Sequence, residues 1–142
     1  YNVPKELLDI RIKETLNEYS LERWENELIE SFSHGMKQRL ATCAALLHNP
    51  RVLIVDEPMV GLDPHGALLL KERFKNYAKN GQSILLSTHS LNVAEEIADR
   101  IAIIDKGSLV TIGTLEDIKS QFGKSDENLE RIFLDVTYSS AS

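Results

Sequence analysis

Val52-Leu53-Ile54-Val55-Asp56-Glu57-Pro58 is the stretch of the chain that decides the fold. Four apolar residues of high β-propensity predict a buried strand, and the proline predicts its end. The strand delivers two adjacent carboxylates at its C-terminal end, where α/β proteins bind their ligands. There, Asp56 can hold Mg²⁺ through its water shell and Glu57 can take a proton from an attacking water. Two solvated acids at a strand end are the alternative interpretation of this run alone.

Length and composition place the chain among ordinary globular proteins. It has 142 residues, 42% of them hydrophobic and 27% charged, which is enough for one domain with a core. Its net charge of −6 argues against a nucleic-acid-binding surface. No apolar run approaches the roughly 20 residues that span a bilayer. Cys43 is the one cysteine, which excludes an internal disulfide and fits a reducing compartment.

Apolar periodicity and turn residues predict alternating helices and strands. The predicted helices cover about 4–19, part of 20–30, 36–47, 66–79, 91–98 and 115–122, with a short last helical turn at 129–134. The predicted strands cover 52–55 and 83–87, and a hairpin joins 101–104 to 109–112. This order predicts an α/β fold whose parallel strands are buried on both faces, with the hairpin as an antiparallel edge.

Three further features flank the acid strand. Ser33 and Gly35 precede a helix, which predicts an anion site at its N-terminus, although Ser33 also suits a plain N-cap. Gly61-Leu62-Asp63-Pro64 is a tight turn just beyond the acids, which by itself only redirects the chain. His89 follows the next strand, so in a parallel sheet it can reach the same phosphate as the acids. A hydrogen-bonded loop histidine is the alternative for His89.

Together these motifs resemble the nucleotide-binding subunit of ATP-binding-cassette (ABC) transporters. The run 32–40, Phe-Ser-His-Gly-Met-Lys-Gln-Arg-Leu, is similar to the family's signature motif. The run 53–58 is similar to its Walker B strand with the catalytic glutamate, and 61–64 to its D-loop. His89 stands where the family has its switch histidine. The motifs follow the family's order and spacing, and the resemblance covers nearly the whole chain.

The resemblance implies a partial P-loop NTPase (RecA-like) parallel sheet with flanking helices, a C-terminal β-hairpin and part of the ABC helical subdomain. It divides the chain in three. About 1–48 would be the helical subdomain and signature helix, and 49–113 the core with the Walker B strand, D-loop, switch histidine and hairpin. Residues 114–142 would be the C-terminal helices and tail.

The resemblance also implies ATP and Mg²⁺ as the bound species. Asp56 is implied to hold Mg²⁺ through water, and Glu57 to orient or deprotonate the attacking water. His89 is implied to contact the γ-phosphate and to position that water. Glu57 and His89 are thus the implied catalytic residues.

A second set of residues is implied to act across a dimer. Ser33, His34, Gly35 and Met36 would bind the ATP held by the partner subunit, and Asp63 would couple the two sites. His34 departs from the family's usual motif, where a glycine stands, and Met36 replaces the usual glutamine. The form serine, bulky residue, glycine, methionine resembles a subset of ABC exporters and of drug- or polymer-export ATPases.

A phosphate loop of the form Gly-x-x-x-x-Gly-Lys-Ser/Thr does not follow any predicted strand. Gly123-Lys124-Ser125 is a decoy, because Ile118 occupies the position of the earlier glycine. The family's aromatic residue for adenine and its glutamine loop are also absent from the sequence. We therefore expect the chain to be the C-terminal part of a longer ATPase, poorly stable and inactive alone.

The leading hypothesis is an ATPase that energises an ABC transporter. The form of the signature motif implies an exporter. Its partners would be a second ATP-binding subunit and a membrane-spanning permease, at the cytoplasmic face of the cell membrane, with no nucleic acid. Two alternatives stay open: an ABC-type ATPase that works on nucleic acid or the ribosome without transport, and a catalytically incomplete half-site.

Overall fold

The computed structural model describes residues 4–138, apart from the side chains of Lys5, Glu6 and Tyr138. The helices are α1 (Lys5–Glu18), α2 (His34–Leu46), α3 (Pro64–Lys79), α4 (Leu91–Ile97), α5 (Leu115–Gln121) and α6 (Leu129–Tyr138). The strands are β1 (Val52–Asp56), β2 (Ser83–Ser87), β3 (Ile101–Asp105) and β4 (Ser108–Gly113). Two 3₁₀ turns, Glu22–Trp24 and Ile29–Ser31, stand where a short helix was expected. The expected tail at 139–142 lies outside the described residues.

The chain divides into two compact units, Tyr1–Ser87 and Thr88–Ser142. In the first unit β1 and β2 form a parallel pair, and the register sets Val52 opposite Ser83 and Asp56 opposite Ser87. Parallel strands require a crossover, which α3 supplies. Helix α3 begins with Asp63 as its N-cap and Pro64 in the first turn, and it buries Leu70 and Phe74.

The expectation that β1 and β2 are buried on both faces is wrong for this unit. Leu53 is buried, but Val52, Ile54 and Leu85 are 57%, 73% and 63% exposed. Successive side chains point to opposite sides of a strand, and the register places these three on the same face. This apolar face of a two-stranded sheet is uncovered in the structure.

Helices α1 and α2 are in contact in the same unit, in which Tyr19, Phe32 and Cys43 are buried. The Arg39 guanidinium donates to the Tyr19 carbonyl at the end of α1, at 2.9 Å. Burial raises the pKa of the Cys43 thiol to about 12. A thiol that resists ionisation is a poor nucleophile, so Cys43 acts as a small packing residue of α2.

The second unit has its own core beneath a β-hairpin. Strands β3 and β4 pair antiparallel, with a register shift between Ile103 and Ile104. In the described part of the chain they form a separate two-stranded sheet, so the hairpin is not an edge of the β1–β2 sheet as expected. The core joins the hairpin to α5 and α6 and comprises Ile101, Ile103, Ile118, Leu129 and Ile132.

Helix α6 runs from Leu129 to Tyr138, which is longer than the single turn predicted at 129–134. Its extension is explained by packing, because Phe133 and Val136 lie against the core of the second unit. Among residues 4–138, no helix combines the length and the apolar character needed to cross a membrane.

Candidate functional site

The C-terminal end of β1 presents the two carboxylates that the sequence singled out. Asp56 is the last residue of the strand and is exposed, and Glu57 follows it in the left-handed region with φ of 45°. For a residue other than glycine, such a conformation costs about 1–3 kcal/mol and persists only where the surroundings enforce it. The buried Pro58 ring follows directly and limits how the turn can relax. Backbone strain of this kind is concentrated at functional sites.

Ser87, at the end of β2, holds both acidic residues in place. Its hydroxyl donates a hydrogen bond to Asp56 Oδ1. The Glu57 backbone N–H points to the Ser87 carbonyl oxygen at 3.1 Å and to its Oγ at 3.3 Å. One serine therefore supports the carboxylate of Asp56 and the strained backbone of Glu57.

Sequence reasoning assigned His89 in this segment and missed Ser87. The length of the two strands was the signal that could have revealed Ser87. Two parallel five-residue strands in this register place their last residues, Asp56 and Ser87, opposite each other. A hydroxyl opposite a carboxylate at that end predicts a hydrogen bond.

The end of β1 suits a hard divalent cation bound in part through water. Asp56 is exposed and offers carboxylate oxygens beside the Ser87 hydroxyl, and oxygen is the ligand type that Mg²⁺ prefers. Across residues 4–138 there is no group of three His, Cys, Asp or Glu side chains that could hold a metal ion.

The N-terminus of α2 carries Ser33 as its cap. The Ser33 hydroxyl accepts a hydrogen bond from the Met36 backbone N–H at 3.2 Å, so the plain N-cap interpretation is correct as a structural description. The same terminus has no acidic residue in its first turn, and Ser33 and His34 are exposed. The positive end of the helix dipole is therefore open to an anion. Binding by Ser33, His34, Gly35 and Met36 stays a prediction.

The turn at 61–64 joins the acids to α3. Gly61 has φ of +77°, a conformation that favours glycine. Asp63 Oδ1 accepts the Gly66 N–H at 2.8 Å and so caps α3. This bond gives Asp63 a structural role, and its coupling role between two subunits stays a prediction.

The structure brings the α2 N-terminus against this turn, a contact that the sequence did not predict. A Cβ added to Gly35 would lie 2.9 Å from the Gly61 carbonyl oxygen and 3.4 Å from Leu62 Cδ2. The imidazole of His34 lies directly over the Cα of Gly61, where a Cβ would be 2.9 Å from Nε2 and closer still to Cδ2. Two of the predicted binding residues therefore pack on the predicted D-loop.

His89 lies in the second compact unit, two residues after β2, and its side chain is exposed. The Thr88 hydroxyl accepts the Ser90 N–H at 3.1 Å and shapes the turn around it. Contact between His89 and a γ-phosphate stays a prediction.

Comparison with known proteins gives consistent matches. A family model described as "AAA domain, putative AbiEii toxin, Type IV TA system" matches residues 4–95. The chain is 36% identical over 137 residues to the ABC-type transporter ATP-binding protein EcsA of Bacillus subtilis (strain 168), which covers 96% of this chain and 56% of EcsA.

Two solved structures are also similar. One is described as the ATP-binding subunit of an ABC transporter, and it matches with a TM-score of 0.88 and 36% identity over 96% of this chain and 57% of its own. The other is a dimeric ATP-binding cassette in a post-hydrolysis state, bound to ADP and Pi. It matches with a TM-score of 0.71 and 27% identity over 81% of this chain and 50% of its own. The chain thus spans about half the length of these relatives.

Proposed function

This chain belongs to the family of ATP-binding subunits of ABC transporters, and from that premise we propose that it takes part in ATP hydrolysis that energises transport. The observation that carries the proposal is the end of β1, where Ser87 supports Asp56 and the strained backbone of Glu57. The exposed Asp56 and the half-buried Glu57, both held by Ser87, suit charge stabilisation and proton transfer at a phosphate.

Within the proposed reaction the two acids have separate roles. Asp56 holds the hydrated Mg²⁺ through water, and the cation neutralises negative charge on the phosphates when it is bound. Glu57 accepts a proton from the attacking water or orients that water. His89 contacts the γ-phosphate and helps to position the same water. The Ser87 hydroxyl fixes the carboxylate of Asp56, which limits the geometries that Asp56 can adopt.

A second subunit completes the proposed site. Ser33, His34, Gly35 and Met36 bind the ATP that the partner holds, using the exposed positive end of α2. Asp63 lies on the turn that touches this terminus, which supports its role in coupling the two sites. The similarity to a cassette solved as a dimer with ADP and Pi supports both the nucleotide and the dimer.

We extend the proposal to the organisation of the protein. Residues 1–48, 49–113 and 114–142 correspond to helical subdomain and signature helix, catalytic core with hairpin, and C-terminal helices and tail. The subunit docks on a membrane-spanning permease at the cytoplasmic face of the cell membrane, and the form of its signature motif favours export. The net charge of −6 disfavours the alternative of an ATPase that works on nucleic acid.

The test is Glu57→Gln in the complete ATP-binding subunit, a subunit that contains these residues together with a phosphate loop. The amide keeps the shape of the side chain and removes the base, so we expect kcat to fall about a thousandfold while ATP binding is retained. Glu72→Gln is the matched control, because Glu72 is an exposed acid on α3. Normal turnover by the Glu57 variant would refute the assignment.

The same assay separates the alternative of an incomplete half-site. A half-site binds ATP without turnover even in the unmodified protein, so Glu57→Gln would then change nothing measurable. Steady-state ATP hydrolysis and equilibrium binding of a fluorescent ATP analogue together distinguish these outcomes.

A further inference from the structure

Gly61 is confined by a side chain, unlike the other glycines with left-handed backbone. Gly81, Gly107 and Gly123 also have positive φ, and an added Cβ would meet nothing within 4 Å at any of them. At Gly61 the added atom would overlap the imidazole of His34, with Cγ at 3.2 Å and Cδ2 closer than Nε2. A side chain at position 61 would therefore displace the imidazole of His34, in addition to straining the backbone.

A second contact ties the same two segments together. Gly35, next to His34, approaches the Gly61 carbonyl so closely that a Cβ on Gly35 would lie 2.9 Å from that oxygen. A backbone oxygen cannot swing aside as a long side chain can. Residues 34 and 35 of α2 thus meet the turn at Gly61 through one side chain and one backbone approach.

We propose that His34 is a positioning residue that locks the N-terminus of α2 to the turn at Gly61 of the same subunit. Ser33 and Asp63 then move as parts of one body, because each lies within two residues of the interlocked pair. The inference rests on the proposed ATPase function and deepens it. His34 stands where the family usually has a glycine. The inference gives this residue a role in holding the turn at Gly61 of its own subunit.

The interlock gives the exposed imidazole of His34 a positioning role beside its proposed contact with the partner's ATP. His34 stands on the first residue of α2, whose N-terminus is proposed to contact the partner's ATP. When the turn at Gly61 shifts, the ring transmits the shift to the helix end by direct contact, since close-packed atoms cannot interpenetrate. Without the ring, the two segments keep only the close approach of Gly35 to the Gly61 carbonyl.

A double-mutant cycle in the complete ATP-binding subunit tests the interlock. The four proteins are the unmodified subunit, His34→Ala, Gly61→Ala and the double variant, each measured for kcat, KM for ATP and thermal midpoint. Alanine at 34 removes Cγ, Cδ2 and Nε2 while keeping a good helix former. Gly81→Ala is the control, because it introduces the same left-handed strain in open space.

Gly61→Ala should lower kcat about tenfold when residue 34 is histidine and about twofold or less when it is alanine, with KM for ATP little changed. The control at Gly81 should change kcat less than about twofold. Equal losses from Gly61→Ala in both backgrounds would overturn the interlock. Absence of ATP hydrolysis by the unmodified subunit would instead overturn the proposed function, so the two failures are distinguishable.

Whether each variant of the double-mutant cycle folds is a second test of the interlock. If Gly61→Ala does not fold, the interlock expects the double variant to fold, because the clashing ring is gone. A double variant that fails to fold while Gly81→Ala folds would contradict the proposal.

Discussion

The N-termini of α2 and α5 share one capping chemistry and differ in what lies beside it. Ser33 and Thr114 each accept a hydrogen bond from the backbone N–H three residues on, at 3.2 and 3.1 Å. At α5 the carboxylate of Asp117 accepts a hydrogen bond from the Thr114 N–H at 3.0 Å and completes a capping box. At α2 the corresponding residue is Met36, whose thioether is at best a weak acceptor.

The residue at the third helical position distinguishes the two ends, because Asp117 closes the cap of α5 with its own carboxylate and Met36 leaves the cap of α2 without one. The first turn of α5 contains Glu116 and Asp117, so negative charge already faces its dipole. The first turn of α2 has no acidic residue. Its positive end is left for an external anion. Two pairs of variants and one single variant test this comparison.

The largest expected effect comes from removing the two caps. Ser33→Ala should lower ATP turnover by the complete subunit about 100-fold, the scale of losing one donor to a developing anion. Thr114→Ala should leave turnover unchanged and lower the free energy of unfolding by about 1 kcal/mol. Steady-state ATPase assays and urea unfolding check both. Equal losses of turnover from the two variants would break the comparison.

An intermediate effect is expected from giving α2 the acid that α5 has. Met36→Glu would allow a capping box with Ser33 and place a negative charge where phosphate is proposed to bind. We expect about tenfold lower turnover, from like-charge repulsion in a partly buried site, with unchanged or higher thermal stability. Met36→Gln is the matched control, since it has the same shape without the charge. If both variants lose turnover equally, charge at the α2 N-terminus is not what matters.

The smallest effect concerns acid stability. The hydrogen bonds from the backbone and then the side chain of Thr114 hold the pKa of Asp117 below its usual value of 3.8. A depressed folded-state pKa contributes stability above pH 3.8, and this is lost as pH falls through the folded value. The thermal midpoint of Asp117→Asn should therefore vary less with pH below pH 3.8 than the thermal midpoint of the unmodified protein. Identical pH profiles for the two proteins would contradict the capping box as a charged interaction.

Local patterns were enough to predict most helices and strands. The strand at 52–55 and the cap at Ser33 depend on residues close in sequence, and the structure has the elements where these signals place them. The length of α6 and the exposed face of β1 and β2 were predicted wrongly, because both depend on which elements pack against them. Periodicity marks an apolar face but does not say whether anything covers it.

The candidate site was also predicted only in part. The acid pair, the serine cap and the glycine turn are short motifs, so residue type and order revealed them, and the relatives confirm the family to which the motifs pointed. Ser87 was missed because its importance comes from standing opposite Asp56 in the neighbouring strand. The contact of His34 with Gly61 joins residues 27 positions apart and has no local signal.

The sequence by itself determined the family, the order of the elements and the identity of the chemical groups, because each of these is written in short runs of neighbouring residues. Tertiary structure alone decided which groups meet. Ser87 supports the acids only because β2 pairs in register with β1, and His34 confines Gly61 only because α2 packs on the turn. Such contacts join residues that are far apart in the sequence, so no short run of residues predicts them.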